Sequence, residues 1–221
     1  MAPRTLITLL CLFALPLAGC GSDDDQSTVA SKPKPICKQV EPPPPKPDGG
    51  QQRPSAKLSP QASYDAVLAT SCGTFTIHLD QKQSPNASAS FAALVRAGFY
   101  DDTSFHRIVP GVVIQGGDPL GTGTGGPGYS TRDKPPADAR YSQGVVAMAK
   151  AGNEPSGTAG SQFVVVTAPD AGLPPDYAII GTVTKGMDVV RRIARLGDPA
   201  SGGAGTPKRT VLLDKATLDE Q

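Results

Sequence analysis

The chain has 221 residues, with 21 Lys and Arg against 20 Asp and Glu and a formal charge of +1. A balance so close to zero excludes a nucleic-acid binder that works by bulk charge. The hydrophobic set is 38% of the residues, enough for one core but not for two full domains, and two His with no Trp exclude a metal centre built on three imidazoles.

Residues 1–19 read as a secretory signal. Arg4 is followed by an apolar run from Leu6 to Ala18. That run is too short to span a bilayer as a helix, which takes about 20 residues, but it suits a signal peptide. Leu17-Ala18-Gly19-Cys20 resembles the bacterial lipobox, in which cleavage falls before the Cys and a diacylglycerol is attached to its sulfur. An ordinary signal with a chance Cys is the alternative. The expectation is a mature protein held outside the cytoplasm on a bacterial membrane by acyl chains on Cys20, with no transmembrane helix. With Cys11 removed and Cys20 lipidated, Cys37 and Cys72 remain. Two thiols in an oxidising compartment are expected to pair as a disulfide; two unrelated thiols are the alternative.

Residues 20–60 carry Lys32-Pro33-Lys34-Pro35, Pro42-Pro43-Pro44-Pro45 and Pro47-Asp48-Gly49-Gly50. The stretch lacks apolar periodicity and is expected to be a disordered, extended tether, with a docking motif as the alternative. From Ser63 the pattern changes to short β-branched runs bounded by Gly and Pro, predicting one folded domain over 61–221 with strands at 64–70, 74–79, 105–109, 112–115, 145–149, 162–167, 178–184 and 210–213. One helix is predicted from Ser84 as N-cap, with Pro85 at its first position, to Gly98; its stripe is Phe91, Leu94 and Val95. A second covers 187–196, with Val190, Ile193 and Ala194 inward. Eight strands without βαβ alternation predict an all-β domain, a closed eight-stranded antiparallel barrel capped by two helices. The Gly-rich loop 198–207 is expected to be mobile.

Gly121-Thr122-Gly123-Thr124-Gly125-Gly126 satisfies G-x-G-x-x-G. Pro127-Gly128-Tyr129 follows where a dinucleotide site needs a helix, so a close-packed loop is the better reading. His78 sits in an alternating strand as a surface or satisfied residue, His106 stands beside Arg107, and no Gly-x-Ser-x-Gly elbow is present, which argues against a nucleophilic hydrolase. Asn86-Ala87-Ser88 is a glycosylation sequon that a bacterial export route leaves unused. The concentrated signal runs from Phe105 to Asp118. Arg107 and Gln115 lie symmetrically about Gly111 in Pro110-Gly111, so a hairpin brings guanidinium and amide to one face. A guanidinium does not deprotonate, which suits a fixed donor rather than a proton shuttle.

This segment resembles the signature of the cyclophilins, the peptidyl-prolyl cis-trans isomerases. Gly144-Val145-Val146-Ala147-Met148-Ala149-Lys150 with Gly160-Ser161-Gln162-Phe163-Val164 is similar to the family's second motif, and Leu173-Pro174-Pro175-Asp176-Tyr177-Ala178-Ile179-Ile180-Gly181 to its third. The resemblance covers about 64–218. It implies catalysis of Xaa-Pro rotation in unfolded or secreted polypeptides, without cofactor or metal; the polar surface and the lack of an obvious apolar edge point to a monomer. Arg107 would donate to the proline nitrogen and Gln115 would orient Arg107. His106, Val112, Val113, Ala149, Lys150, Gln162, Val164, Leu173 and Tyr177 would form the substrate groove.

The chain departs from the family pattern in that groove. Val112-Val113 stands where Phe-Met is usual, Val164 replaces a pocket Phe, and Gly172 or Leu173 falls where a Trp is usual. Tyr177 replaces a His, and Lys150 an Asn. Smaller walls bury less of a proline ring, so lower activity or looser substrate choice is expected, with weak cyclosporin binding. A proline-peptide binding module or chaperone with little catalysis is the alternative function.

Overall fold

Residues 64–70 form an extended strand that turns alternate side chains inward: Tyr64, Ala66, Leu68 and Thr70 are buried, and Asp65, Val67 and Ala69 are partly exposed. The computed structural model describes residues 36–221; the expected signal segment 1–19 and the expected lipidation position Cys20 lie outside the described residues. The elements are β1 (Tyr64–Thr70), β2 (Gly73–Leu79), α1 (Pro85–Arg96), β3 (Thr103–Ser104), β4 (Arg107–Val109), β5 (Val113–Gly116), β6 (Thr131–Arg132), β7 (Val145–Met148), β8 (Thr158–Ala159), β9 (Phe163–Val166), β10 (Ile179–Lys185), α2 (Met187–Ala194), a 3-10 helix (Pro199–Ala204) and β11 (Leu212–Glu220). No helix among the described residues is long and apolar enough to cross a membrane.

One curled nine-stranded antiparallel sheet has the order β3-β11-β1-β2-β10-β7-β9-β5-β4, and β6 pairs with β8 apart from it. This corrects the expected closed eight-stranded barrel. The edge strands β3 and β4 are separated in the chain only by Phe105 and His106, and no β3–β4 ladder joins them. Phe105, expected inside a strand, turns into the core instead. Its amide donates to the Val211 carbonyl at 2.9 Å, and its ring meets Phe75 and Phe163 at 6.3 and 6.1 Å between centroids. The last strand runs on to Glu220 because β1 offers a full ladder, from Tyr64 opposite Glu220 onward.

The strands β5, β7 and β9 are covered on both faces, which explains the unbroken apolar runs of β7 and β9; β5 is interrupted by Gln115. Ile114, Val146, Met148, Phe163 and Val165 enter the main core. Their neighbours Val113, Val145, Ala147, Val164 and Val166 enter a second cluster on the opposite face, beneath Val109, Val112, Ala149, Leu173 and Tyr177.

Helix α1 starts at Pro85 as expected, but Ser84 makes no side-chain cap. Asp133 caps it from a distant loop: its carboxylate accepts from the amides of Asn86 and Ala87 at 2.9 and 2.6 Å and from the Asn86 side chain at 2.7 Å. Replacing Asp133 by Ala is expected to cost about 1–2 kcal/mol, a fall in Tm of about 2–8 °C in thermal unfolding, and an unchanged Tm would contradict the assignment.

Residues 36–60, expected as part of a free tether, lie along the domain as a strap. Cys37 and Cys72 form a disulfide, and the Lys38 amide donates to the Ser71 carbonyl at 2.8 Å. The Lys46 ammonium donates to the carbonyls of Gly98, Phe99 and Asp101 at 3.1, 2.8 and 2.8 Å. Leu58 packs on the main core. Composition points to disorder because the segment has no apolar periodicity, but it is fastened by one covalent bond, by polar contacts and by Leu58. Its prolines also have no N–H to satisfy.

Candidate active site

The β4–β5 hairpin carries the first two groups. Gly111 has φ +71° at its turn, a conformation that favours glycine, and the register pairs Arg107 with Gln115 and Val109 with Val113. The Arg107 and Gln115 side chains therefore share the face of the second cluster. Arg107 Nη1 donates to Gln115 Oε1 at 3.1 Å, Gln115 Nε2 to Gln162 Oε1 at 2.9 Å, and Gln162 Nε2 to the Gly125 carbonyl at 2.9 Å. A guanidinium has donors only, so it fixes the orientation of both amides along this row.

The opposite side of the guanidinium is held by the Gly203 carbonyl, which accepts from Arg107 Nε at 3.1 Å and from Nη2 at 2.9 Å. That leaves one N–H on each terminal nitrogen, of the five a guanidinium has, without a partner among the described residues. Gly203 belongs to the loop expected to be mobile and without a role. The loop is ordered by its own contacts: the Asp198 side chain accepts from the Ala200 amide at 3.0 Å, Ser201 Oγ accepts from the Thr206 amide at 2.9 Å, and the Gly205 carbonyl accepts from the Ile108 amide at 2.6 Å. At Gly205, with φ +68°, a Cβ would lie 2.8 Å from Arg107 Cγ, so the loop closes directly on the arginine stem. The signal in the sequence was Asp198-Pro199, which starts the turn, followed by glycines close enough to lie on a side chain.

A cavity of about 500 Å³ opens beside the guanidinium. It brings together His106, Arg107, Val112, Val113, Gln115, Ala149, Lys150, Val164, Leu173 and Tyr177, with Val109, Thr122, Gly123 and Ala204 completing the wall. Of the residues expected in the groove, Gln162 alone is outside this lining; it lies behind Gln115 and faces an adjoining cavity of about 600 Å³. The two cavities share Gln115, Gly123, Ala149 and Lys150. A further cavity of about 400 Å³, beside His78 and Gln81, shares none of these residues. His78 itself is exposed, with Nδ1 2.9 Å from Asp65 Oδ1.

The walls are aliphatic where the chain departs from the family pattern: Val112, Val113 and Val164 present no ring. The Tyr177 ring stands edge-on to Tyr141 at 5.9 Å. The Lys150 ammonium is paired with Asp176, at 2.6 Å, and donates to the Glu154 carbonyl at 3.0 Å. The hydrogen bond from Lys150 holds the Asp176 carboxyl below its usual range, against the opposing effect of partial burial. The glycine-rich loop has no helix after it. Its first half is folded around the buried Asp118, whose carboxylate accepts from Leu120 and Thr122 at 2.8 Å each and also from Gly123.

His106 packs against that loop, and neither ring nitrogen has a hydrogen-bond partner among the described residues. Burial lowers its pKa from 6.5; the Arg107 guanidinium lowers it further, and the Asp118 carboxylate opposes both. The unfolded chain therefore takes up the proton at a higher pH than the folded protein. Stability is expected to fall as the pH drops from 6.5 through the lowered value, because the unfolded state then binds more protons. Tm recorded between about pH 7 and about pH 5 checks this, and His106→Phe is expected to flatten that part of the profile.

Residues 66–217 match the family model described as cyclophilin type peptidyl-prolyl cis-trans isomerase/CLD. Peptidyl-prolyl cis-trans isomerase-like 1 of Gibberella zeae is 37% identical over 159 residues, covering 70% of this chain and 94% of that protein. Probable peptidyl-prolyl cis-trans isomerase B of Mycobacterium leprae is 36% identical over 174 residues, covering 72% of this chain and 58% of that protein. Among solved structures, a cyclophilin type peptidyl-prolyl cis-trans isomerase of Cryptosporidium parvum, in the presence of the dipeptide Ala-Pro, is similar with a TM-score of 0.63 and 29% identity, over 70% of this chain and 98% of that one.

Proposed function

Since the chain belongs to the cyclophilin-type peptidyl-prolyl cis-trans isomerase family, and is on that ground an isomerase, we propose that Arg107 is its catalytic donor and that its substrates are Xaa-Pro bonds of polypeptides outside the cytoplasm. Rotation about such a bond faces a barrier of about 18–20 kcal/mol because amide resonance is lost halfway. At that point the proline nitrogen regains a lone pair. A donor aimed at the nitrogen is useful only in the twisted state, and that difference is what lowers a barrier. The reaction makes and breaks no covalent bond, so it calls for no cofactor, metal or proton shuttle. The observation that carries this reading is the Arg107 guanidinium, held on both sides by Gln115 and Gly203 with N–H groups to spare, at the edge of a cavity of about 500 Å³ walled in part by Val112, Val113, Val164 and Leu173. The proline ring enters against Val113, Val164 and Leu173, and Gln115 meets the substrate backbone. A proline-limited refolding assay tests the reading: the wild-type chain shortens the slow phase at catalytic concentrations, and a wild type that leaves the phase unaltered contradicts it.

The setting is supported by sequence and by the strap. The apolar run before Cys20 and the cysteine itself fit a lipidated, exported protein, and the Cys37–Cys72 disulfide fits an oxidising compartment. On this reading the residues between Cys20 and Cys37 join lipid to domain, and the domain works as a monomer.

The aliphatic walls favour a second reading, a chain that holds proline segments and turns them over slowly. Val113→Phe tests whether the wall holds the ring, since a larger side chain buries more apolar surface, worth about 1 kcal/mol. KM is expected to fall about fivefold. An unchanged KM would show that the proline ring does not rest on this wall.

A further inference from the structure

The family match begins at residue 66, yet part of the loop that ends the Arg107 row is held by residues before it. The second half of the glycine-rich loop, Gly125-Gly126-Pro127-Gly128, has almost no side chains with which to order itself, and glycine loses the most freedom on folding. The strap supplies what is missing. Asp48 Oδ1 accepts from the Gly126 amide at 2.8 Å, the Gly49 amide donates to the Gly126 carbonyl at 2.9 Å, and the Gln51 amide donates to the Pro127 carbonyl at 3.0 Å. The two backbones lie so close that a Cβ on Gly128 would sit 3.0 Å from Gly49 Cα. Upstream, the strap is fastened by Lys46 and by the Cys37–Cys72 disulfide. Downstream, the Gly125 carbonyl next to the clamped Gly126 accepts from Gln162, the start of the row that ends on Arg107.

We propose that the strap is part of the catalytic apparatus, with Asp48 as a positioning residue that sets the Gly125 carbonyl and, through Gln162 and Gln115, the tilt of the Arg107 guanidinium. Asp48 touches no substrate in this role. The contacts form one continuous row, and small displacements of a reacting group carry large rate penalties. The inference rests on Arg107 being the catalytic donor.

The test uses the full chain with Asp48→Ala and Asp48→Asn, the second keeping an acceptor oxygen without the charge. Two readouts are recorded: steady-state isomerisation, and the side-chain amide resonances of Gln115 and Gln162 by NMR. Asp48→Ala is expected to lower kcat/KM about tenfold, mostly in kcat because the guanidinium acts in the twisted state, and to move both glutamine resonances. Asp48→Asn is expected to recover most of the lost kcat and to return the resonances toward their wild-type positions. An Asp48→Ala protein with wild-type kcat and unmoved resonances overturns the proposal and leaves the strap as packing alone. If the wild-type chain itself proves inactive, the reading of Arg107 fails, and the glutamine resonances alone decide whether the strap sets the row. Movement in Asp48→Ala supports that, and no movement overturns it.

Discussion

Arg107→Ala is expected to reduce kcat/KM for Xaa-Pro isomerisation by about 10²–10³-fold, the cost of removing one pre-set donor to charge that develops in a transition state, about 3–4 kcal/mol. The loss falls mainly on kcat, because the ground-state imide nitrogen has no lone pair to accept from the guanidinium. Arg107→Lys is expected to recover little. An ammonium keeps the charge but lacks the planar fork that binds Gln115 on one side and the Gly203 carbonyl on the other. Proline-peptide affinity of Arg107→Ala stays near the wild-type value if Val113, Val164 and Leu173 hold the ring. Equal kcat in wild type and Arg107→Ala would remove the guanidinium from the mechanism.

The second large effect is on stability. The Cys37–Cys72 bond closes a loop with a sequence separation of 35, and closing a loop of that length restricts the unfolded chain by about 4 kcal/mol. The double variant Cys37→Ser, Cys72→Ser is expected to lose about that amount, a fall in Tm of about 8–16 °C for a domain of this size. Both sulfurs are buried, so reductant alone is expected to act slowly on the folded protein and fully once it unfolds. Thermal unfolding of wild type and double variant under oxidising conditions measures the difference. Coincident transitions would show that the Cys37–Cys72 bond adds nothing to stability.

What was legible in the sequence is what local pattern controls. Short β-branched runs bounded by Gly and Pro marked β1 to the residue and placed β7 and β9 to within one residue at each end. Pro85 marked the start of α1, and the spacing of Arg107 and Gln115 about Gly111 marked a shared face that the register reproduces. The two-residue strands β3, β6 and β8 carry no period long enough to register. Most of β11 is polar because one of its faces meets solvent, and only its ladder with β1 extends it to Glu220. The cap on α1 came from Asp133 and the outer clamp on Arg107 from Gly203; both are tertiary contacts between residues far apart in the chain, with no local signature. The strap failed as a composition reading for a related reason. A segment with few apolar residues and no period among them cannot form a core of its own, but it can be ordered on one that already exists.

The central claim is that this chain turns Xaa-Pro bonds and does not merely hold them. Two-dimensional NMR exchange on a short Xaa-Pro peptide, with the wild-type chain at catalytic concentration, reads the rotation itself. Uncatalysed interconversion takes tens of seconds or longer and gives no exchange cross-peaks between cis and trans signals. The account predicts strong cross-peaks with the wild type and their disappearance with Arg107→Ala. Peptide signals that broaden or shift on binding, with no cis–trans cross-peaks, would contradict it.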